Sequence, residues 1–281
     1  MKHKIGVMQG RLVPKYKNQY QSHPAGYWDK EFDVAAVLGV DLVEFIVDLD
    51  EIEKNPLMSA NGLSYVSKIV AKTGVQVASI CADCFMAAPL HSPDPLIQRS
   101  SLGYLRTLIE HAPKLGVTDI VIPCVDQSSL RTREDTARLV AALESVLAEA
   151  ELYRVNLSLE TDLNPERFAR LLEHFRSPRV TVNYDTGNSA SLGYDPREEL
   201  SAYGASISDI HIKDRVKRGG SVPLGTGNAN FEVFFDALEP LKYQGPFILQ
   251  AYRDDEGIEI FSSQLRWIRP YIEWYGKRIK G

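Results

Sequence analysis

Four side chains able to bind a metal ion end four successive apolar segments in the second half of the chain. Glu160, Asp185, His211 and Gln250 close the segments "VNLSLE", "VTVNYD", "ISDIH" and "PFILQ". Two carboxylates, an imidazole and an amide oxygen leave coordination positions free for water or substrate oxygens. Such a set suits Mn²⁺, Mg²⁺ or Co²⁺ better than the thiolate-rich sites of structural zinc, with Zn²⁺ as the alternative. We therefore expect one bound divalent metal ion.

Each of these residues alone has a simpler explanation. Asp185 in "YDTGN" fits an Asx turn, and a histidine between isoleucines is commonly a hydrogen-bonded core residue. Glu160 is harder to explain in this way, because an unpaired carboxylate that ends an apolar strand is costly to bury. The hypothesis of a metal site therefore depends on the coincidence of all four residues.

The segments that carry these residues belong to an alternation of short β-branched runs and longer amphipathic stretches. The eight strand candidates are "KIGVMQG", "LVEFIVD", "VQVASICAD", "TDIVIPCVD", "VNLSLETD", "VTVNYDT", "ISDIHIKD" and "PFILQAY". Strands separated by helices need crossover connections and therefore form a parallel sheet. Eight such units fit a closed barrel, and the GxGxxG fingerprint of the open fold is missing. The sequence predicts an α/β protein with a single (β/α)8 TIM barrel domain over residues 1–281.

The helical candidates are bounded by capping and breaking residues. A helix over residues 92–116 is expected to begin at Ser92, and one helix is expected over residues 131–153. Asn164 is the predicted cap of a third helix, since a proline follows it. Pro270 is expected to kink or divide the last helix.

The composition restricts the class of partner and the compartment. Lys plus Arg number 32 and Asp plus Glu 37, a net charge of −5 that gives no general attraction for nucleic acid. The sequence contains no run of about 18 apolar residues, so it predicts no membrane span. The N-terminal segment lacks the apolar region of a signal peptide. Three cysteines suit a reducing cytoplasm. Cys81 and Cys84 in "CADC" lack a second pair, so we expect them to pack at a strand end. We expect a cytoplasmic protein with no nucleic-acid or membrane partner.

Basic and amide side chains near the predicted strand ends are candidates for substrate binding, because chemistry in this fold gathers at the carboxyl ends of the strands. We predict that substrate is bound by Arg11, Asn188, Lys213 and Arg215. Arginine matches phosphate or carboxylate oxygens with two parallel hydrogen bonds. A small carbohydrate that is acidic or phosphorylated is therefore favoured.

Other features of the same region leave two interpretations open. Lys217 and Arg218 could also meet an anionic group, or they could belong to a solvated loop. The glycines of "PLGTGNANF" could bring backbone amides near the ligand, or Asn230 could simply cap the next helix.

Several of these segments together resemble the sugar phosphate isomerase/epimerase family. The segments are "IGVMQGRLVP", "SLETD", "VNYDTGNSASLGYDP", "HIKDR", "VPLGTGNANF" and "FILQAYR". This group of xylose isomerase-like barrels also contains the ketose 3-epimerases and, more distantly, endonuclease IV. The resemblance extends from the first to the last predicted strand. It implies a metal held by Glu, Asp, His and Glu after strands five to eight, which correspond to Glu160, Asp185, His211 and Gln250. The first three match in type, and the fourth is an amide in place of a carboxylate.

The resemblance implies a metal-dependent isomerase or epimerase that removes a proton next to a carbonyl group through a metal-stabilised enediolate. Glu160 is the implied catalytic base. Gln250 cannot exchange a proton, so epimerisation would need another group, with Asp83, Glu44 and Asp126 as candidates. Isomerisation of an aldose and a ketose would need only one base.

Three alternatives remain at this stage. One is a lyase or dehydratase that uses the same enolate. Another is a non-catalytic sugar-binding barrel that lost a catalytic carboxylate at Gln250. A third, DNA repair as in endonuclease IV, would need more histidines at strand ends and is disfavoured by the acidic net charge. Barrels of this group often form homo-oligomers, so a homo-oligomer is also compatible with the sequence.

Overall fold

Eight parallel strands form a closed barrel in the computed structural model, which describes residues 3–255 and 257–280. The barrel strands are β1 (Ile5–Met8), β2 (Leu42–Ile46), β3 (Ser79–Cys81), β4 (Asp119–Cys124), β5 (Asn156–Thr161), β6 (Val180–Asp185), β7 (Ile207–Ile212) and β8 (Phe247–Leu249). Each strand pairs in parallel with its neighbours in sequence, and β1 closes the barrel against β8. The predicted (β/α)8 barrel is confirmed, and all eight strands lie within the predicted segments.

Helices follow the strands and cover the outside of the barrel. They are α1 (Lys30–Leu38), α2 (Ala60–Thr73), α3 (Cys84–Ala87), α4 (Pro95–His111), α5 (Arg133–Glu144), α6 (Leu147–Tyr153), α7 (Pro165–Leu172), α8 (Thr186–Leu192), α9 (Pro196–Tyr203), α10 (Phe231–Leu238) and α11 (Ile258–Arg278). A short antiparallel hairpin, Asp214–Arg215 with Ser221–Val222, follows β7. None of the described helices is both long and apolar enough to cross a membrane.

The helix ends agree only in part with the predicted ones. The Asn164 side chain accepts a hydrogen bond from the Arg167 amide, which confirms it as the cap of α7. The helix expected from Ser92 begins later, because Asp94 supplies the capping oxygen. The segment 131–153 forms two helices and not one, with a break at residues 145–146. The last helix continues through Pro270, so the proline does not divide it.

Apolar side chains fill two regions of the barrel. The larger region lies between the strands and the surrounding helices and includes the fully buried Phe45, Phe235 and Phe247. Burying an aromatic side chain of this kind stabilises the fold by roughly 1.5–3 kcal/mol. A smaller cluster belongs to the strands themselves and consists of Met8, Leu42, Ile46, Cys81, Val121 and Ile248. The three cysteines are free and buried, as expected for packing residues.

Strand register brings polar side chains of neighbouring strands close together. Asp185 pairs in register with His211, and His211 with Ile248. Because side chains two residues apart on a strand share a face, Asn183 lies on the same side as Asp185. The carboxyl ends of β5, β6 and β7 therefore direct their polar residues to one place.

Candidate active site

Three of the four predicted metal ligands converge at the carboxyl ends of β5, β6 and β7. One potential ligand atom from each of Glu160, Asp185 and His211 lies within 4.8 Å of the other two. All three side chains are buried, and His211 is completely so. Two like-charged carboxylates at this distance repel each other in a buried setting, so the arrangement favours a positive charge between them.

Glu160 is held by two amide side chains. Asn183 Nδ2 donates to Oε2 at 3.0 Å, and Asn188 Nδ2 donates to Oε1 at 2.5 Å. Burial, followed by the negative charge of Asp185, raises the pKa of Glu160 to about 7. This carboxyl group therefore changes its protonation state near neutral pH, which is the condition for efficient proton transfer.

The two carboxylate oxygens of Asp185 make different contacts. Oδ1 accepts hydrogen bonds from the amides of Gly187 at 2.8 Å and Asn188 at 2.9 Å, so the residue caps α8. Oδ2 lies 3.4 Å from Nζ of Lys213. The turn-forming interpretation of "YDTGN" is thus correct, and it still leaves one oxygen directed at the site.

His211 is positioned by a carboxylate from the other side of the barrel. Its Nε2 lies 2.9 Å from Oε1 of Glu44 on β2. Its Nδ1 lies 3.1 Å from Nδ2 of Asn183 and 3.6 Å from Oε2 of Glu160. Burial disfavours the imidazolium, but the charge of Glu44 and its contact with Nε2 outweigh that cost and raise the pKa of His211 to about 10. Nδ1 is therefore the ring nitrogen on the side of the Glu160 carboxylate.

A second group of potential ligands, Glu44, Asp209 and His211, shares His211 with this triad. The geometry fits a divalent cation better at the triad than at this second group. Glu160 lines a cavity that is open to solvent, whereas Glu44 and Asp209 are fully buried.

Gln250, the fourth predicted ligand, lies beside Lys213. Its Oε1 accepts a hydrogen bond from Nζ of Lys213 at 2.8 Å, and the same ammonium group contacts Asp185. Gln250 follows the last residue of β8 and lines the cavity. Its amide oxygen faces the site, and a role as metal ligand stays a prediction.

Gly187 makes room for the lysine. A Cβ atom at this position would lie 2.6 Å from Cγ and 2.9 Å from Cβ of Lys213. Contacts this short require the lysine stem to move. The glycine of "DTGN" is therefore needed to let Lys213 reach Asp185 and Gln250.

A cavity of about 660 Å³ opens at the carboxyl end of the barrel. It is lined by Tyr16, Lys17, Asn18, Gln19, Tyr20, Gln21, Ser22, His23, Ala25, Asp48, Leu49, Asp50, Glu51, Asn55, Cys81, Asp83, Met86, Ala87, Pro123, Val125, Asp126, Gln127, Glu160, Asn188, Lys213, Arg215 and Gln250. This volume lies in the range of small-molecule sites.

Three of the four predicted substrate-binding residues line this cavity. Asn188 and Arg215 are linked, because Nη1 of Arg215 donates to Oδ1 of Asn188 at 2.8 Å. Arg11 is different: it is buried beside the cavity, its Nη2 donates to Gln21 at 3.0 Å, and its guanidinium lies over the ring of Tyr20.

Comparison with known proteins identifies the family of the chain. The sequence matches the xylose isomerase-like TIM barrel family over residues 32–271. The chain belongs to this family. Among curated relatives, an L-ribulose-5-phosphate 3-epimerase of Escherichia coli O1:K1 is 28% identical over 82% of this chain and 84% of its own. Such relatives support a sugar isomerase or epimerase.

Solved structures confirm the fold at low identity. A D-allulose 3-epimerase from Methylomonas sp., in complex with D-allulose, is 19% identical with a TM-score of 0.74 over 96% of this chain and 97% of its own. A xylose isomerase-like TIM barrel protein from Mycobacterium smegmatis, in complex with magnesium, is 18% identical with a TM-score of 0.74 over 97% of both chains.

The glycine-rich segment "PLGTGNANF" has a structural role. The amides of Gly225 and Gly227 donate to Oδ2 of Asp214, and the amide of Ala229 donates to Oδ1, each at 2.9 Å. The interpretation in which these glycine amides approach a ligand is not supported, because the Gly225 and Gly227 amides donate to Asp214. The alternative for Asn230 is confirmed, since its side chain caps α10.

Sequence reasoning missed two interior residues and misplaced a third. Asn183 and Asp209 lie two positions before Asp185 and His211 and point to the same side of their strands. Glu44, a candidate for the second acid or base, lies two residues before the end of β2, is fully buried and does not line the cavity. The two-residue alternation from each predicted ligand is the signal that identifies Asn183 and Asp209.

Proposed function

We propose that the chain is a divalent-metal-dependent isomerase or epimerase of a sugar or sugar phosphate. In this reaction Glu160 removes a proton next to a carbonyl group, which gives an enediolate. The observation that supports this most strongly is the convergence of Glu160, Asp185 and His211 beside a substrate-sized cavity that Glu160 lines. The epimerase relatives point to the same class of reaction.

The metal would be held by Glu160, Asp185 and His211, with the Gln250 oxygen as a fourth ligand and Mn²⁺, Mg²⁺ or Co²⁺ as favoured ions. When bound, a divalent cation polarises substrate oxygens and so acidifies the adjacent C–H group. The chain itself keeps Glu160 in a fixed orientation through Asn183 and Asn188. A base whose position is fixed in this way is ready to accept the proton without rearrangement.

Asp83 is the residue best placed to act on the other face of the substrate. Glu44 is fully buried and engaged with His211, and Asp126 is exposed at the rim. Asp83 lines the cavity and is held by Gln21 Nε2 at 3.2 Å and by the Cys81 thiol. Burial raises the pKa of Asp83, so it retains a proton more readily than an ordinary aspartate. We assign it the proton transfer that Gln250 cannot perform.

Lys213, Asn188 and Arg215 are the proposed contacts for substrate oxygens. The Lys213 ammonium lies between Asp185 and Gln250 and faces the cavity. A positive charge here stabilises the negative charge that develops on the substrate when its proton is removed.

The decisive experiment follows deuterium exchange from D₂O into L-ribulose, L-ribulose 5-phosphate and D-allulose with Mn²⁺ present. Glu160→Gln should lower turnover by about 10²- to 10⁴-fold and leave the thermal unfolding midpoint close to that of the parent. Glu110→Gln on the exposed side of α4 is the matched control. Undiminished turnover in Glu160→Gln would refute the proposal.

Gln250→Glu tests the alternative of a non-catalytic sugar-binding barrel. This substitution restores the carboxylate found at the corresponding position in the family. If the parent binds sugar without exchange and only Gln250→Glu exchanges deuterium, the natural chain is a binding protein. If the parent exchanges deuterium itself, Gln250 does not prevent catalysis.

A further inference from the structure

The wall of the cavity that lies across the barrel from the metal triad is acidic. Strand order places the ends of β1, β2 and β3 opposite those of β5, β6 and β7. The carboxylates that line the cavity after β2, β3 and β4 are Asp48, Asp50, Glu51, Asp83 and Asp126. Hydrogen bonds from Lys54, Tyr16 and Lys17 lower the pKa of Glu51 to about 2, so this side chain is ionised at neutral pH.

The cations that line the cavity in the described part of the chain are already engaged. Lys17, the one cation on the acidic wall, donates to Asp50 at 2.5 Å and to Glu51 at 3.2 Å. Lys213 is engaged by Gln250 and Asp185 on the opposite wall. Arg215 directs Nε to the Gly219 carbonyl at 3.0 Å and Nη1 to Asn188.

Two other basic residues predicted near substrate, Lys217 and Arg218, lie outside the cavity lining. The side of the cavity formed after β2, β3 and β4 thus presents Asp48, Asp50, Glu51 and Asp126 in addition to the proposed proton donor Asp83, and a single lysine that Asp50 and Glu51 share. A sugar whose reacting carbon lies at the triad extends its other end toward this wall.

A phosphate group on that end would be poorly accommodated. A phosphate monoester carries a charge of about −1.5 to −2 at neutral pH, and the carboxylates that face it on this side of the cavity repel it. Neutral amide and hydroxyl groups on the same wall, including those of Asn18, Gln19, Gln21 and Gln127, donate and accept hydrogen bonds as sugar hydroxyls require.

We propose that this cavity selects an uncharged sugar and discriminates against the phosphate ester of the same sugar. The inference rests on the proposed function, because it assumes that the reacting carbon lies at the triad. This preference would distinguish the chain from the L-ribulose-5-phosphate 3-epimerase to which its sequence is similar. The discrimination comes from repulsion built into the site, in addition to hydrogen bonds that both forms of the sugar can make.

The test compares L-ribulose with L-ribulose 5-phosphate, a pair that differs only in the phosphate. We expect kcat/KM for L-ribulose to exceed that for the ester by at least about tenfold at low salt. The ratio should fall as NaCl is added, since salt screens charges that are open to solvent. A ratio that favours the ester would overturn the proposal.

The Asp50→Asn and Asp126→Asn double variant assigns the effect to the acidic wall. Asparagine tolerates the positive φ of residue 126, which is 51°. In this double variant we expect the ratio of kcat/KM for L-ribulose to kcat/KM for the ester to fall by at least about threefold. The ratio should not change in Glu110→Gln, which removes an exposed carboxylate that does not line the cavity. An unchanged ratio in the double variant would refute the electrostatic cause.

Direct binding keeps this inference separate from the catalytic proposal. If no sugar exchanges deuterium, the proposed reaction fails, but calorimetric titration with matched pairs still measures selection by charge. The pairs are L-ribulose and D-fructose with their 5- and 6-phosphates. Tighter binding of the unphosphorylated member supports the inference. Tighter binding of the esters, or no binding of any unphosphorylated sugar, overturns it.

Discussion

Nε2 of His211 lies 2.9 Å from Oε1 of Glu44, and both side chains are fully buried inside the barrel. The contact joins β7 to β2, two strands that are not neighbours in the sheet. Glu44 is itself fixed by the Ser79 hydroxyl, which donates to Oε2 at 2.7 Å. A histidine whose second ring nitrogen meets a carboxylate has a defined orientation and a more basic ligand nitrogen. Glu44 therefore orients His211 so that Nδ1 lies on the side of Glu160 and of the proposed metal site.

Glu44→Gln should weaken Mn²⁺ binding by about tenfold or more, because the amide orients the imidazole less strongly than the carboxylate does. Isothermal titration with Mn²⁺ measures the affinity directly. The near-identical shape of glutamine preserves packing, and thermal unfolding checks this. Glu110→Gln is the control. Equal affinity in Glu44→Gln and the parent would show that the buried contact does not influence the site.

The contact between Glu44 and His211 also illustrates what the sequence could predict. Glu160, Asp185 and His211 each lie at or near the end of a predicted strand, and this position was enough to predict that the three side chains would lie close together. Glu44 lies in the middle of the predicted segment "LVEFIVD", and the segment alone does not show how deep in the barrel its side chain lies. The strand continues to Ile46, which places Glu44 one layer lower.

Contacts across the barrel were beyond sequence reasoning for a physical reason. The position of a side chain along the barrel axis depends on strand register and tilt, and these are fixed by packing among all eight strands. Lys213, which follows β7, contacts Asp185 at the end of β6 and Gln250 just after β8. The space that Gly187 provides for Lys213 is likewise visible only in three dimensions.

Asp83→Asn should separate proton exchange from inversion. Glu160 still removes the proton on its own face, so deuterium from D₂O continues to enter the substrate. Without an acid on the other face, formation of the epimer should fall by about 10²-fold or more. Proton NMR of the sugar reports both rates in one sample.

Two outcomes would contradict the assignment of Asp83. Equal losses of exchange and inversion would mean that Asp83 supports binding or the position of other residues. Epimer formation at the rate of the parent would mean that another group transfers the second proton. Asp126→Asn is the matched control, since Asp126 lines the same cavity at its exposed rim.

Gly187→Ala should reduce kcat/KM by about tenfold or more. The added methyl group overlaps Cβ and Cγ of Lys213, so the ammonium must move away from Asp185 and Gln250. Gly103→Ala in α4 is a suitable control, because no atom lies within 4 Å of its added Cβ. Alanine is favoured over glycine inside a helix by up to about 1 kcal/mol, so this control should be active and at least as stable. Steady-state kinetics and urea unfolding of both variants test the prediction.

Glu31 should make the stability of the fold fall as pH rises. Its two carboxylate oxygens accept from the amides of Gly10 at 2.7 Å and Leu12 at 2.8 Å, in the turn after β1. Burial outweighs these hydrogen bonds and raises the pKa of Glu31 to about 7. The folded state therefore binds a proton more tightly than the unfolded state, and stability is lost as the carboxyl group ionises between about pH 4.5 and pH 7.

The variant Glu31→Gln removes this titration and isolates its contribution. The free energy of unfolding of the parent should lose about 2 kcal/mol more than that of the variant between pH 5 and pH 7. Glutamine presents one N–H group where the glutamate presents an acceptor, so the variant should also be less stable at pH 5, by about 1–3 kcal/mol. Urea unfolding at both pH values measures the two effects separately. Parallel pH dependence in parent and variant would mean that the Gly10 and Leu12 amides keep Glu31 ionised throughout, with the turn after β1 stabilised by a carboxylate at both pH values.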